Sequence, residues 1–177
     1  MKEVIPVTDR QIRKLVRAAL FAALCAIMTM VIQIPSPMQG YVNLGDCAVL
    51  LSAWVLGPWY GGAAAGAGSM LADLLSGYAH YAPGTLVVKF AMAASAGVLF
   101  SLLRRCTRHT LTAQGVSGLI GEAVMVLGYF AYACLWLGKG WAAAASVPGN
   151  ILQGIIGLTA ALAIYPVLNR GKALSHL

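Results

Sequence analysis

The sequence predicts an all-α integral membrane protein of six transmembrane helices, with a short second helix. Three observations carry this. The 177 residues are 60% hydrophobic and only 10% charged, against roughly 25% charged in soluble domains. The mean hydropathy is +0.80. The basic residues fall in blocks between apolar runs: Lys2, Arg10, Arg13, Lys14 and Arg17 before the first run, Arg104, Arg105 and Arg108 midway, and Arg170 and Lys172 near the end. That is the positive-inside pattern and places both termini in the cytoplasm. The net charge of +7 therefore reports topology, and nucleic acid is excluded as a partner. One domain accounts for the length: cytoplasmic tails at 1–10 and 169–177 flank a single membrane domain at 11–168.

The first helix is expected at 11–34. Its apolar run of about 18 residues is long enough to span and is read as an uncleaved helix. Ala18, Ala22 and Ala26, with Ala19 and Ala23, form a small-residue face of the kind that lets another helix approach closely; it is expected to dock a partner. Pro35 and Pro37 stop this helix, because proline cannot continue the ladder, and a loop runs to about residue 45. The second helix, 46–56, is too short to cross ~30 Å of hydrocarbon. It lies short in the membrane beside a loop folded partly into it, which is tolerated where that backbone lines a cavity. A Gly57-Pro58 turn leads to helix three at 59–77, whose glycines make a close-packing face. The loop YAHYAPG leads to helix four at 84–103, helix five covers 115–137 and helix six 146–168. On this count Lys139 alone among the basic residues lies outside, and Lys89 lies within the membrane.

Charges inside apolar runs mark functional positions. Asp46, Asp73 and Lys89 are such charges. Asp73 and Lys89 stand eight residues either side of Tyr81, so on antiparallel helices they share a depth of ~12 Å below the turn and are expected to pair. The pair is either structural or also faces a ligand. Asn150 and Gln153 lie one turn apart on helix six and share a face; their amides suit a neutral heterocyclic or hydroxylated ligand. Tyr129 and Tyr132, with Trp136, offer an aromatic wall, although Trp136 also suits an interfacial belt. Glu122 is a further intramembrane acid, at a different depth. Gln39, Tyr41 and Asn43 in the first outer loop, and His80 and Tyr81 in the second, are placed to close over a pocket.

Four scattered cysteines, with no CxxC pair, argue against a disulfide framework or a zinc site. No HExxH, GxSxG or Walker motif appears, so no enzyme activity, metal or cofactor is expected. The polar groups cluster towards one side, which disfavours a channel. A solitary secondary transporter, a membrane enzyme and a structural bundle stay open as other readings.

The stretches NLGDCAVLLSAWVLGPWYGG, GSMLADLLSGYAHYAPGTLVVKF, MVLGYFAY and VPGNILQGIIG resemble the substrate-binding S components of energy-coupling-factor (ECF) vitamin transporters. The likeness runs from about residue 13 to 165 and is closest to the riboflavin-type and pyridoxine/hydroxymethylpyrimidine branch. It implies a multi-pass protein of a prokaryotic plasma membrane that binds a vitamin from outside under a lid loop. It further implies a transmembrane coupling subunit and two cytoplasmic ATPases, with Ala18, Ala22 and Ala26 matching the docking surface. The pocket residues expected are Asn43, Asp73, His80, Tyr81, Lys89, Glu122, Tyr129, Asn150 and Gln153. Pyridoxine or hydroxymethylpyrimidine is the first choice of substrate and riboflavin the second.

Overall fold

The computed structural model describes residues 9–36 and 40–170. The two tails inferred from the charge pattern, and Gln39, fall largely or wholly outside these residues. Six α-helices carry the fold: α1 (Asp9–Val31), α2 (Gly45–Leu56), α3 (Pro58–Leu75), α4 (Ala82–Cys106), α5 (Thr110–Ala131) and α6 (Val147–Arg170). Four segments are long and apolar enough to cross a membrane: Gln11–Val31, Ala82–Cys106, Thr110–Trp136 and Gly140–Asn169. The chain is a multi-pass membrane protein.

The short helix α2 forms the centre. Its residues from Gly45 to Trp54 are buried, as expected of a helix that is apolar all round. Val49, Leu50 and Leu51 pack with Cys25 of α1, Ala64 and Ala65 of α3, Met92 and Ala96 of α4 and Met125 of α5. Gly57, at φ 79, reverses the chain after α2, a conformation that glycine adopts without a Cβ penalty. Pro58 then sits in the first turn of α3, where its missing N–H costs nothing.

Two expectations are corrected here. The region after the first helix, expected as a loop, is an antiparallel hairpin of β1 (Gln33–Ser36) and β2 (Gly40–Asn43), with Gln33 opposite Asn43 and Pro35 opposite Tyr41. The helix stops at Val31, before Pro35, and the β-branched residues around it suit a strand. Pro35 is tolerated because an isolated two-stranded ribbon leaves it an outer edge. Helix five, expected at 115–137, begins earlier and changes to a wider turn at Tyr132–Trp136, and a tight 3-10 segment, Gly140–Ser146, follows.

The small face of α1 packs partly inside the chain. Ala26 is buried, Ala18 and Ala22 are partly buried against the core, and Ala19 and Ala23 are exposed. A Cβ on Gly68 of α3 would come within 2.2 Å of the Ala22 carbonyl oxygen. At Ala22 the close approach is made by the chain's own α3, since a small-xxx-small seam serves an internal neighbour as well as a partner.

Candidate substrate-binding site

A cavity of about 550 Å³, counting the space at its open mouth, lies beneath the hairpin. Thr29 of α1, Ser69 and Asp73 of α3, and Thr85 and Lys89 of α4 line one part of it. Ser36, Gly40, Tyr41 and Asn43 of the hairpin cover it; Tyr81, Tyr129, Ser146, Asn150 and Gln153 complete the wall.

At the inner end, Lys89 Nζ donates to Asp46 Oδ1, and both side chains are buried. Asp46 sits in the first turn of α2, where the helix dipole favours an acid. Gln153 Nε2 donates to Asp46 Oδ2 at 2.8 Å, and Gln153 Oε1 accepts from the Asn43 backbone N–H at 2.9 Å. Asn43 Oδ1 in turn accepts from the Gly45 N–H at 2.8 Å, satisfying one donor at the start of α2. One side chain of α6 thus ties the hairpin to the buried ion pair.

The expected pairing of Asp73 with Lys89 is overturned. Their sequence distances from Tyr81 give equal depth but say nothing about rotation about each helix axis, and Lys89 faces α2. Asp73 faces the hairpin, where Tyr41 Oη donates to its Oδ1 at 2.6 Å. Burial and the neighbouring carboxylate push the Tyr41 hydroxyl's pKa up. Gln33 Nε2 donates to Ser76 Oγ at 2.9 Å, a second tie from the hairpin to the end of α3.

Aromatic rings form the outer wall. Tyr129 Oη donates to Thr85 Oγ1 at 3.1 Å, and Lys89 Nζ lies 5.5 Å from the Tyr129 ring centroid. Tyr81 meets Tyr129 edge-on at 6.5 Å. Lys139 Nζ donates to Tyr81 Oη at 3.2 Å.

Of the residues singled out from the sequence, Asn43, Asp73, Tyr81, Lys89, Tyr129, Asn150 and Gln153 come together in this cavity. His80 and Glu122 do not. His80 is exposed, its ring tilted against Tyr81 at 4.8 Å between centroids, and its carbonyl accepts from Tyr132 Oη at 2.8 Å. Glu122 faces a separate apolar groove between α5 and α6, beside Gly154. Trp136 is 75% exposed and stacks on Tyr132, away from the wall.

Sequence reasoning passed over the hydroxyls Thr29, Ser36, Ser69, Thr85 and Ser146, because such groups in helices commonly bond to their own backbone. A signal was present. Ser69 and Asp73, Thr85 and Lys89, and Ser146 and Asn150 are all four residues apart, so each hydroxyl shares a helical face with a group already marked. Thr29 Oγ1, Ser36 Oγ, Ser69 Oγ and Asp73 Oδ2 are buried side-chain atoms that have no hydrogen-bond partner among the described residues. All four residues line this one cavity.

A family model described as "ECF-type riboflavin transporter, S component" matches residues 9–170. An uncharacterized protein of Pyrococcus woesei is 37% identical over 151 residues, covering 80% of this chain and 97% of that protein. The solved S component of a bacterial ECF transporter superposes with a TM-score of 0.63 over 90% of this chain and 97% of its own; at 19% identity this shows a shared fold. The chain belongs to the family of ECF-type riboflavin transporter S components, and it is the substrate-binding subunit of an ECF transporter, without enzymatic activity of its own.

Proposed function

We propose that the cavity captures a B-type vitamin or vitamin precursor from the outer face of a prokaryotic plasma membrane. A transmembrane coupling subunit and two cytoplasmic ATPase subunits then drive its delivery inward. The observation that carries this reading is the convergence of four buried polar atoms without a partner among the described residues, on Thr29, Ser36, Ser69 and Asp73, in one cavity under the hairpin. Buried polar groups are nearly always hydrogen-bonded. Four polar atoms that face one space are hydrogen-bonding groups suited to a hydroxylated heterocycle.

Pyridoxine or hydroxymethylpyrimidine is the first choice of substrate, on the strength of the small hydroxyl and amide groups and the Asp73 carboxylate that line the cavity. Riboflavin is second, supported by the name of the family model. The topology proposed is six crossings with both termini inside, a membrane domain at 11–168 and short cytoplasmic tails. Asn43, Asp73, Tyr81, Lys89, Tyr129, Asn150 and Gln153 are the proposed binding residues.

The test is mass spectrometry of small molecules that co-purify with the detergent-solubilised protein, with Gln153→Ala as the control. A stoichiometric vitamin that is lost in the control is the expected result. An empty protein that is also not stabilised by pyridoxine, hydroxymethylpyrimidine, thiamine or riboflavin would defeat the vitamin assignment. Uptake by cells lacking the ATPases would favour a solitary secondary transporter.

A further inference from the structure

Asp73 differs from the other acid beside the cavity in having no ion pair among the described residues. Lys89 and Asp46 neutralise one another, and Lys139 at the mouth donates to Tyr81 Oη. Asp73 is 4% exposed. Its Oδ1 takes the Tyr41 hydroxyl at 2.6 Å, and its Oδ2 has no hydrogen-bond partner among the described residues. A carboxylate only accepts, and a buried one is costly unless it is both paired and hydrogen-bonded. A ligand hydroxyl would supply a hydrogen bond but no charge. An N–H on a protonated or strongly polarised nitrogen supplies both and gives the shorter, stronger bond.

We infer that Asp73 is the specificity-determining residue of this cavity, taking through Oδ2 an N–H of a basic nitrogen heterocycle: a protonated pyridine, or an aminopyrimidine. The proposal rests on the reading of the cavity as a vitamin site and narrows it. Thr29 and Ser69, whose hydroxyls donate or accept, stand on the same side to take the substituent hydroxyls of such a ring. Riboflavin, whose ring N–H is an imide and which has no basic nitrogen protonated near neutral pH, fits this wall less well.

The same carboxylate holds the hairpin through Tyr41. Ligand and hairpin therefore meet on one group. A ligand cation on Oδ2 fixes the orientation of the carboxylate and with it the acceptor that Tyr41 needs, so that capture steadies the hairpin over the cavity.

The experiment is calorimetric titration of the full chain in detergent, wild type and Asp73→Asn. The ligands are pyridoxine, its ring-carbon counterpart bearing the same hydroxyl and hydroxymethyl groups, hydroxymethylpyrimidine and riboflavin. Asparagine keeps an oxygen for Tyr41 but places an NH₂ where the ligand N–H points. In the wild type, pyridoxine is expected to bind about 10- to 100-fold more tightly than its ring-carbon counterpart, the range for a hydrogen bond to a charged group. In Asp73→Asn that ratio should fall to about one, with the loss on the pyridoxine side. A ratio near one in the wild type overturns the proposal, and so does a ratio preserved in Asp73→Asn. The wild-type ratio decides the matter alone should the variant not fold. Binding of riboflavin alone, equal in both proteins, overturns the role of Asp73 and leaves the vitamin reading standing. Binding of none of the four by the wild type overturns the vitamin reading itself, and this inference with it.

Discussion

Gln153 accepts from the backbone N–H of Asn43 and donates to Asp46, so one amide joins the cover of the cavity to the ion pair at its base. The side chain is 2% exposed. Gln153→Leu removes both bonds and leaves the Asn43 N–H and one Asp46 lone pair without partners. Each such orphan costs about 1–3 kcal/mol. Thermal unfolding in detergent should move to lower temperature, and ligand affinity should fall with it. Gln153→Glu should be worse than Gln153→Leu for stability, because it sets a second carboxylate against Asp46. An unchanged midpoint in both variants would show that the hairpin is held elsewhere.

The pairing of Lys89 with Asp46 predicts an asymmetry between single and double replacements. Lys89→Met leaves an uncompensated buried carboxylate and should cost about 3–5 kcal/mol, whereas replacing Asp46 with Leu at the same time should recover much of that. Lys89→Met alone would be mild if Asp73 were its partner through water. Unfolding midpoints of the two singles and the double separate these outcomes.

The seam between α1 and α3 predicts where bulk is tolerated. Gly68→Ala brings a methyl onto the Ala22 carbonyl and should destabilise the isolated protein by about 1–3 kcal/mol. Ala22→Trp should be still more damaging. Ala23→Trp, on the exposed side of α1, should leave folding and ligand binding intact. If the exposed side of α1 meets the coupling subunit, Ala23→Trp should abolish uptake in cells that contain the whole transporter. Uptake at the wild-type rate in Ala23→Trp would remove α1 from the coupling interface.

Glu122 predicts a gain. The residue is 7% exposed and close enough to feel the Asp46–Lys89 pair, and neither carboxylate oxygen has a hydrogen-bond partner within 3.5 Å among the described residues. Orphaned polar groups in an apolar setting destabilise by about 1–3 kcal/mol on mutational scales. Glu122→Met, in the groove lined by Leu119, Val126, Ile151 and Ile155, should raise the unfolding midpoint. A fall would reveal a partner for this acid in the working membrane protein.

Tyr41 sets a pH expectation. Its hydroxyl is pushed up by burial and by the Asp73 carboxylate, so the donor form persists through and beyond the ordinary tyrosine range near pH 10. A group whose folded pKa is raised contributes its full stability below the unfolded pKa and loses it only as pH rises through the folded one. The Tyr41–Asp73 tie should therefore contribute equally across neutral and mildly alkaline pH. The stability difference between wild type and Tyr41→Phe should be flat from about pH 7 to pH 9. A difference that shrinks over that interval would mean that Tyr41 ionises early.

The sequence by itself determined the membrane class, the order of six helices, the brevity of α2 and the turn at Gly57-Pro58. These rest on local quantities: run length against bilayer thickness, proline and glycine positions, and the distribution of basic residues. Spacing along α6 also put Asn150 and Gln153 on one face. Tertiary structure decided which charges meet. Asp73 and Lys89 have the right depth for each other, but rotation about a helix axis is set by packing, and the packing of α2 at the centre turned Lys89 towards Asp46. The hairpin was equally out of reach. Its strands pair with each other and lie over a cavity whose walls come from five helices far apart in the chain. The hydroxyls of Thr29, Ser36 and Ser69 gain meaning only there. Serine and threonine are unremarked along an apolar chain, and become informative when three of them, with one carboxylate oxygen, line the same cavity.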